Sequence, residues 1–300
     1  VGFWLATILG RLMYCRGLLH ETAGRLVGKF SGAVGAYNAQ VLFGLTRAGE
    51  TPTFEDRVLA KLGLEPAPIS TQILPPEPLM EFLHAYVLLA GVLGQIGRDC
   101  RLLERPEIAE IIEPREKGVV GSSTMGHKVN PIGFENAEGM FWNVAAEYGK
   151  VMHLSISEHQ RDLVGSSLIR EFPGIVVFVQ HQLEGLFRSL RRISFNPDAL
   201  ARNFALQAHV YMAEPVYLAL QFGGYEGDAH AFVNDVIVPH ATPDKSIVAV
   251  LEEMTFTDAT LRETWERIPE NIRAALDKPE EYVGLASEKA WEIISLFREI

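Results

Sequence analysis

Cysteine is almost missing from this chain: among its 300 residues only Cys15 and Cys100 occur, both in apolar, helix-like surroundings. They read as two buried free thiols, which suits a reducing compartment and a cytoplasmic location. Positive charge is also in short supply. The 27 Lys and Arg face 38 Asp and Glu, a net charge of −11, which argues against a nucleic acid or an anionic membrane as partner. An anionic substrate then needs a local cluster of Arg and Lys. No segment reaches the ~18 uninterrupted apolar residues of a membrane span. The apolar start, 1–10, is followed by Arg11 and Arg16 and has neither an initiating Met nor a basic leader, so it is not a signal peptide. It reads as the interior of a helix already under way, and the chain as a fragment of a longer protein.

Strict alternation of apolar and polar residues never runs long enough between turn signals to argue for a sheet. There is no low-complexity segment and no short repeat. The nine histidines show no metal-ligand spacing beside Cys or carboxylates, and no dinucleotide glycine fingerprint precedes a helix. Neither a metal nor a cofactor is expected. What is present is ordinary in bulk, 48% apolar and 22% charged, enough chain to bury a core in one large domain or two.

The organisation lies in helical periodicity. Apolar residues at helical spacing predict long helices over 1–23, 78–103, 131–153 and 174–193. The first ends at Gly24 or Gly28. A glycine-rich segment, 28–38, then forms a turn with close backbone approach. A short helix follows Thr51-Pro52-Thr53, with Pro52 placed for an N-terminal turn and Glu55 and Asp56 suiting its positive end. Pro66 and Pro68 force an extended run into Ser70-Thr71-Gln72-Ile73. The break at Ser194-Phe195-Asn196-Pro197 marks a domain boundary, giving a helical-bundle domain over 1–194 and a helical domain over 195–300. In the latter the helices shorten, to about 197–206, 213–222, 226–240, 246–254, 258–267 and 283–299.

Two stretches carry chemistry. The first is Gly-Ser-Ser-Thr-Met-Gly-His-Lys-Val-Asn-Pro-Ile-Gly-Phe-Glu-Asn, residues 121–136. It is a glycine-bounded loop feeding a helix, with Asn130 as N-cap and Pro131 as first helical residue. Loop amides, Lys128 and the positive end of a helix make a receptor for negative charge, in which a serine serves as nucleophile or base. The second stretch runs over 158–170. Its two arginines, Arg161 and Arg170, its two serines, Ser166 and Ser167, and a Gly-Ser helix start offer a grip for an oxyanion or phosphate. His153 and His159, which flank a helix boundary nearby, read as structural or surface histidines.

The first stretch resembles the loop Gly-Ser-Ser-x-Met-Pro-x-Lys-x-Asn-Pro of the fumarase/aspartase superfamily, whose members release fumarate by β-elimination. It departs at Gly126, where the family has proline. The continuation through Gly139, the Gln-Arg-Asp-Leu of 160–163 with Ser166 and Arg170, the Gly-Ala-Val-Gly of 32–35 and the Thr-Gln-Ile of 71–73 look most like the adenylosuccinate lyase branch. So does the close at 279–286. Leu74 and Pro76 depart from that branch's pattern.

The resemblance implies an all-α fold: a long-helix bundle plus a smaller C-terminal helical domain, assembled as homotetramers with each active site built from several subunits. It implies cleavage of adenylosuccinate to AMP and fumarate, and of the related succinylated carboxamide ribotide. By that correspondence Ser122 is the base, and Lys128, Asn130 and loop amides hold a carboxylate. Ser123 and Met125 contact substrate, Gln72 and Thr71 hold a substrate carboxylate, and Glu135 orients a catalytic histidine. Arg161, Ser166 and Arg170 hold the nucleotide phosphate. The family's general acid, a histidine in Thr-x-x-His-x-Gln, and its second catalytic histidine are not in this sequence, so the chain by itself is expected to turn over little substrate. A sister lyase acting on argininosuccinate or a carboxymuconate, and a non-catalytic helical oligomerisation fragment, are the alternatives.

Overall fold

A computed structural model describes residues 1–114, 125, 130–156 and 164–299. The chain divides into two compact units, Val1–Arg105 with Glu113–Ser194 and Ala290–Ile300, and Pro106–Ile112 with Phe195–Lys289. The fold is all-α, and no strand among the described residues exceeds two residues.

The first unit is built on α1 (Gly2–Gly24), α2 (Asn38–Leu42), α3 (Phe54–Ala60), α4 (Glu77–Leu103), α5 (Ile132–Val151), α6 (Ser166–Ile169) and α7 (Pro173–Leu190). α1 has no side-chain cap and no charge complementing its dipole, so packing on α4 must hold it. The two run antiparallel. Trp4 Nε1 donates to Asp99 Oδ2 at 2.8 Å near one end, and Arg25 pairs with Glu81 at 3.2 Å near the other. α4 opens with Pro78, where a missing N–H costs nothing. Its Gly91, Gly94 and Gly97 let Phe134, Ala137 and Phe141 of α5 approach closely.

α5 and α7 are also antiparallel. Gly133 lies against Ser189, and Lys150 pairs with Glu171 at 2.6 Å. Between the three helices, buried Gln182 donates its amide to the Ala90 and Ala137 carbonyls at 3.0 and 2.7 Å. Leu93, Phe134, Ile175 and Leu186 are fully buried around it, each worth about 2–3 kcal/mol of hydrophobic stabilisation. By length and composition α4 is apolar enough to cross a membrane, with a mean hydropathy of 1.5 over its most apolar window. That apolarity is explained by its central place among α1, α5 and α7.

Local rules shifted one predicted helix start and fixed another. Pro131 has φ −79° and ψ 63°, an inverse γ-turn closed by Ile132 N–H donating to the Asn130 carbonyl at 2.9 Å. Pro131 is therefore the N-cap of α5, and Asn130 stands one residue outside the position expected for it. At α3 the cap is Thr53, in a capping box with Asp56. Pro52 precedes the cap, so the helix follows Thr51-Pro52-Thr53 as expected, and Glu55 faces inward, 2% exposed.

The second unit holds α8 (Pro197–Ala205), α9 (Ala213–Phe222), α10 (Ala229–Ala231), α11 (Ile247–Thr255), α12 (Ala259–Arg267) and α13 (Glu270–Leu276). Asn196, Asp228, Ser246 and Asp258 each cap a helix with a side-chain oxygen. The predicted helix over 226–240 is composite. α10 passes into a π-helical stretch, Phe232–Ile237, and a 3-10 turn, Val238–His240, containing Pro239. α13 was not expected. It is two turns long between Pro269 and Pro279, too short for a clear apolar period. Val216, Leu220, Val233, Ile237, Leu251 and Leu261 form this unit's core. The unit carries seven Lys and Arg against eighteen Asp and Glu, the whole of the net charge. α14 (Ala286–Arg298) closes the chain.

Candidate active site

The two motif segments that flank α2 and α3 in sequence are joined in space. β1 (Val27–Gly28) pairs in parallel with β2 (Glu65–Pro66), and Ala67 N–H donates to the Gly28 carbonyl at 2.9 Å. Ser31, 1% exposed, shares a hydrogen bond with Ser70 through their hydroxyls at 2.9 Å. Gly35 has φ +74°, and a Cβ there would stand 1.9 Å from the Ser70 carbonyl oxygen, so only glycine fits. Beyond Ser70 the chain turns tightly, with Thr71 N–H donating to the Ile73 carbonyl at 3.2 Å. Gln72 is half-buried and Thr71 exposed.

The 28–38 loop is held from beneath. Glu55 of α3 accepts hydrogen bonds from the Phe30 N–H and the Tyr37 hydroxyl. Gln40 donates to the Phe30 carbonyl and accepts from Thr46 at 3.1 Å. Tyr37 adopts the left-handed region, φ 56°, uncommon for a bulky residue. Its hydrogen bond to Glu55, burial and the nearby Glu55 and Asp56 charges push its phenol up to about 12.

Ser166 and Arg170 lie at the first and fifth positions of one helical turn, α6 and its C-cap, so they share a face. Ser166 is half-buried. Arg170 is exposed and makes no ion pair with another described residue. Because α6 is a single turn, its dipole adds little to an anion grip, and the side chains must supply it.

At the other end of the bundle, Asn130 is half-buried and Glu135 exposed in the first turn of α5; Met125 is exposed. Behind them lies a cluster that the sequence did not reveal. Glu138, 8% exposed, receives Arg98 at 3.0 and 2.8 Å and Arg101 at 2.9 Å. Burial pushes its carboxyl up, but the two guanidinium groups outweigh that and hold it below the usual range. The i, i+3 spacing of Arg98 and Arg101 was the signal for a shared face. Glu104 caps α4 nearby, and burial together with the Glu113 charge pushes it up to about 7. Burial, then Glu104, Asp99 and Glu113, push the thiol of fully buried Cys100 up to about 12.

The structure thus groups the expected residues by bundle end. Thr71, Gln72 and the 28–38 loop lie where α1 ends and α4 begins. Ser166 and Arg170 lie where α5 ends and α7 begins, which the antiparallel packing makes the same end. Asn130 and Glu135 lie at the opposite end, separated by the twenty-residue α5, about 30 Å. Ser122, Ser123, Lys128, Arg161 and His159 fall outside the described residues.

A family model described as Lyase matches residues 1–146. The chain is 33% identical over 280 residues to the adenylosuccinate lyase of Pyrococcus horikoshii, covering 92% of this chain and 58% of that protein. It is 29% identical over 300 residues to the N-acetyl-S-(2-succino)cysteine lyase of Dickeya dadantii, covering 98% of this chain and 62% of that one. Among solved structures, the 3-carboxy-cis,cis-muconate lactonizing enzyme of Pseudomonas putida superposes with a TM-score of 0.72 at 26% identity, covering 98% of this chain and 62% of that one. The chain therefore spans about three fifths of the length of these relatives. Over most of its length the chain is thus similar to lyases of the fumarase/aspartase superfamily, and its helical bundle is consistent with that likeness.

Proposed function

We propose that the chain acts in an adenylosuccinate lyase, releasing fumarate from adenylosuccinate to leave AMP, and from the succinylated aminoimidazole carboxamide ribotide in purine synthesis. The observation that carries this reading is the Arg161, Ser166, Arg170 element, which matches the nucleotide-phosphate grip of that branch position by position.

In this reading Ser122 removes the proton from the carbon β to the departing nitrogen, next to a carboxylate. The electron pair passes into that carboxylate as an aci-form, which Lys128, Asn130 and loop amides stabilise. The pair returns as the double bond of fumarate while the carbon–nitrogen bond breaks. A general acid then protonates the nitrogen. Gln72 and Thr71 hold the other carboxylate, Ser123 and Met125 line the substrate, and Glu135 orients a histidine. Neutral serine is a weak base, so cationic loop groups must lower its pKa. No cofactor takes part.

The split of these residues between two bundle ends about 30 Å apart supports a site completed by other copies, as in a homotetramer. Exposed Trp142, Val177 and Phe187 on α5 and α7 offer apolar surface for such contacts. The domain division at 194/195 and a cytoplasmic location belong to the same reading. The likeness to a succinocysteine lyase over the full chain favours one second reading, a sister lyase in which sulfur leaves the succinyl carbon instead of nitrogen.

The test is to purify the chain, measure its mass in solution, titrate it with AMP and follow fumarate release from adenylosuccinate and from an S-succinocysteine. The expected result is a tetramer that binds AMP and turns over adenylosuccinate poorly, since the histidine motifs of the family do not occur in its sequence. Turnover of the sulfur substrate without AMP binding would overturn the assignment. Rapid release of fumarate from adenylosuccinate would give the acid role to a histidine within the chain, His153 or His159.

A further inference from the structure

Glu55 is a buried carboxylate that the chemistry above does not use. It is 2% exposed, lies on the inward face of α3 and makes no ion pair with a described residue. Burying such a group without a cation is costly unless strong donors satisfy it. Its two oxygens are taken by two donors of one loop, the Phe30 N–H and the Tyr37 hydroxyl. These donors bracket Ser31 and Gly35, the two residues that touch Ser70. The Tyr37 N–H closes the same loop onto the Ser31 carbonyl at 2.9 Å. Tyr37 sits in a left-handed conformation that needs surrounding structure to over-determine it. The carboxylate on α3 thus fixes the loop, and the loop fixes Ser70, two residues before Gln72.

We infer that Glu55 is a positioning residue, which sets Gln72 for a substrate carboxylate by clamping Phe30 and Tyr37. The role of Gln72 rests on the proposed function; the mechanical link from Glu55 to Ser70 does not. Glutamine at position 55 keeps one acceptor for the Phe30 N–H but presents an amide to Tyr37, whose hydroxyl must turn round to accept. Alanine leaves the Phe30 N–H without a partner, and Tyr37→Phe removes a single hydrogen bond.

Two measurements on the 300-residue chain test this. The first is amide hydrogen exchange in Glu55→Gln and Glu55→Ala. Exchange should quicken in 30–37 and also in 70–73, with alanine stronger than glutamine and α4 unchanged. Faster exchange confined to 30–37, or spread through α4, would overturn the link. The second compares ligands, using fumarate as the probe of the Gln72 end and AMP as the probe of the arginine grip. Glu55→Gln should weaken fumarate about tenfold, the worth of one hydrogen bond to a charged group, and leave AMP within about twofold. A purely structural defect would weaken both alike and overturn the positioning role. Should the unaltered chain bind neither ligand, the proposed function fails, and hydrogen exchange alone decides whether Glu55 sets the 70–73 segment.

Discussion

Gly97 of α4 lies directly against the main chain of Phe134 of α5: a Cβ at Gly97 would stand 2.6 Å from the Phe134 carbonyl oxygen and 2.9 Å from the Ala137 Cβ. Neither obstacle is the flexible end of a side chain. Gly97→Ala should therefore cost about 1–3 kcal/mol by overpacking, despite the better helix propensity of alanine. Gly17 on α1 has nothing within 4 Å of its Cβ position, so Gly17→Ala should stabilise by about 0.5–1 kcal/mol. Thermal melts of both variants check the pair, and their shifts should have opposite signs.

Glu138 should make the fold sensitive to acid. Its folded-state pKa is depressed by Arg98 and Arg101, so its contribution is present above the unfolded carboxylate range and is lost as pH falls through the lower folded value. Glu138→Ala should cost about 2–4 kcal/mol at neutral pH, because it strands two arginines, one of them half-exposed. Its Tm should then fall less than that of the unaltered chain between pH 5 and about pH 3.

Glu104 should act in the opposite direction. Burial and Glu113 raise its folded pKa to about 7. The folded state then holds a proton that the unfolded state releases from about pH 4.5 upward. Stability from this group is present at low pH and is lost as pH rises toward and through 7. Glu104→Gln should raise stability at pH 8 by about 1 kcal/mol, after discounting for solvent around a half-buried group, and should leave it nearly unchanged at pH 4.5. Denaturant melts at the two pH values measure the difference.

The division between bundle ends makes a prediction about mixtures. In a full-length polypeptide that turns over adenylosuccinate, Arg170→Ala should damage one end of each bundle and Asn130→Ala the other. If each site draws on two copies, hybrid oligomers of two poorly active variants regain activity in about a quarter of sites by random mixing. Co-refolding the two variants and assaying fumarate release tests this. No gain over the separate variants would place both residues in a site made by one copy.

Ser122→Ala, in the same active polypeptide, should lower kcat by about 10²–10⁴-fold with little change in AMP affinity, since proton transfer contributes only in the transition state. Near-normal turnover would move the base elsewhere, with Ser123 next.

The amino-acid sequence alone determined the long helices. Apolar spacing located 1–23 and 78–103 within a residue or two of Gly2–Gly24 and Glu77–Leu103, because periodicity over many turns averages out local exceptions. It also marked the close backbone approach of 28–38 and the extended run into 70–73, since glycine and proline reflect backbone demands that are local. Short elements were less legible. The start of α5 moved by a residue because Pro131 closes an inverse γ-turn, and α13, bounded by two prolines, is not among the predicted helices.

Only tertiary structure decided which distant residues meet. Nothing in the spacing of Phe30, Tyr37 and Glu55 announces that one carboxylate holds both donors, or that Ser31 and Ser70 share a hydrogen bond. Arg98 and Arg101 gave away their common face, but not the buried Glu138 that joins them from another helix. The same holds for the separation of Gln72 and Arg170 from Asn130 and Glu135. Whether two helices run parallel or antiparallel depends on how their apolar faces and glycine-lined contacts pack. That packing sets the two groups of residues at opposite ends of the bundle.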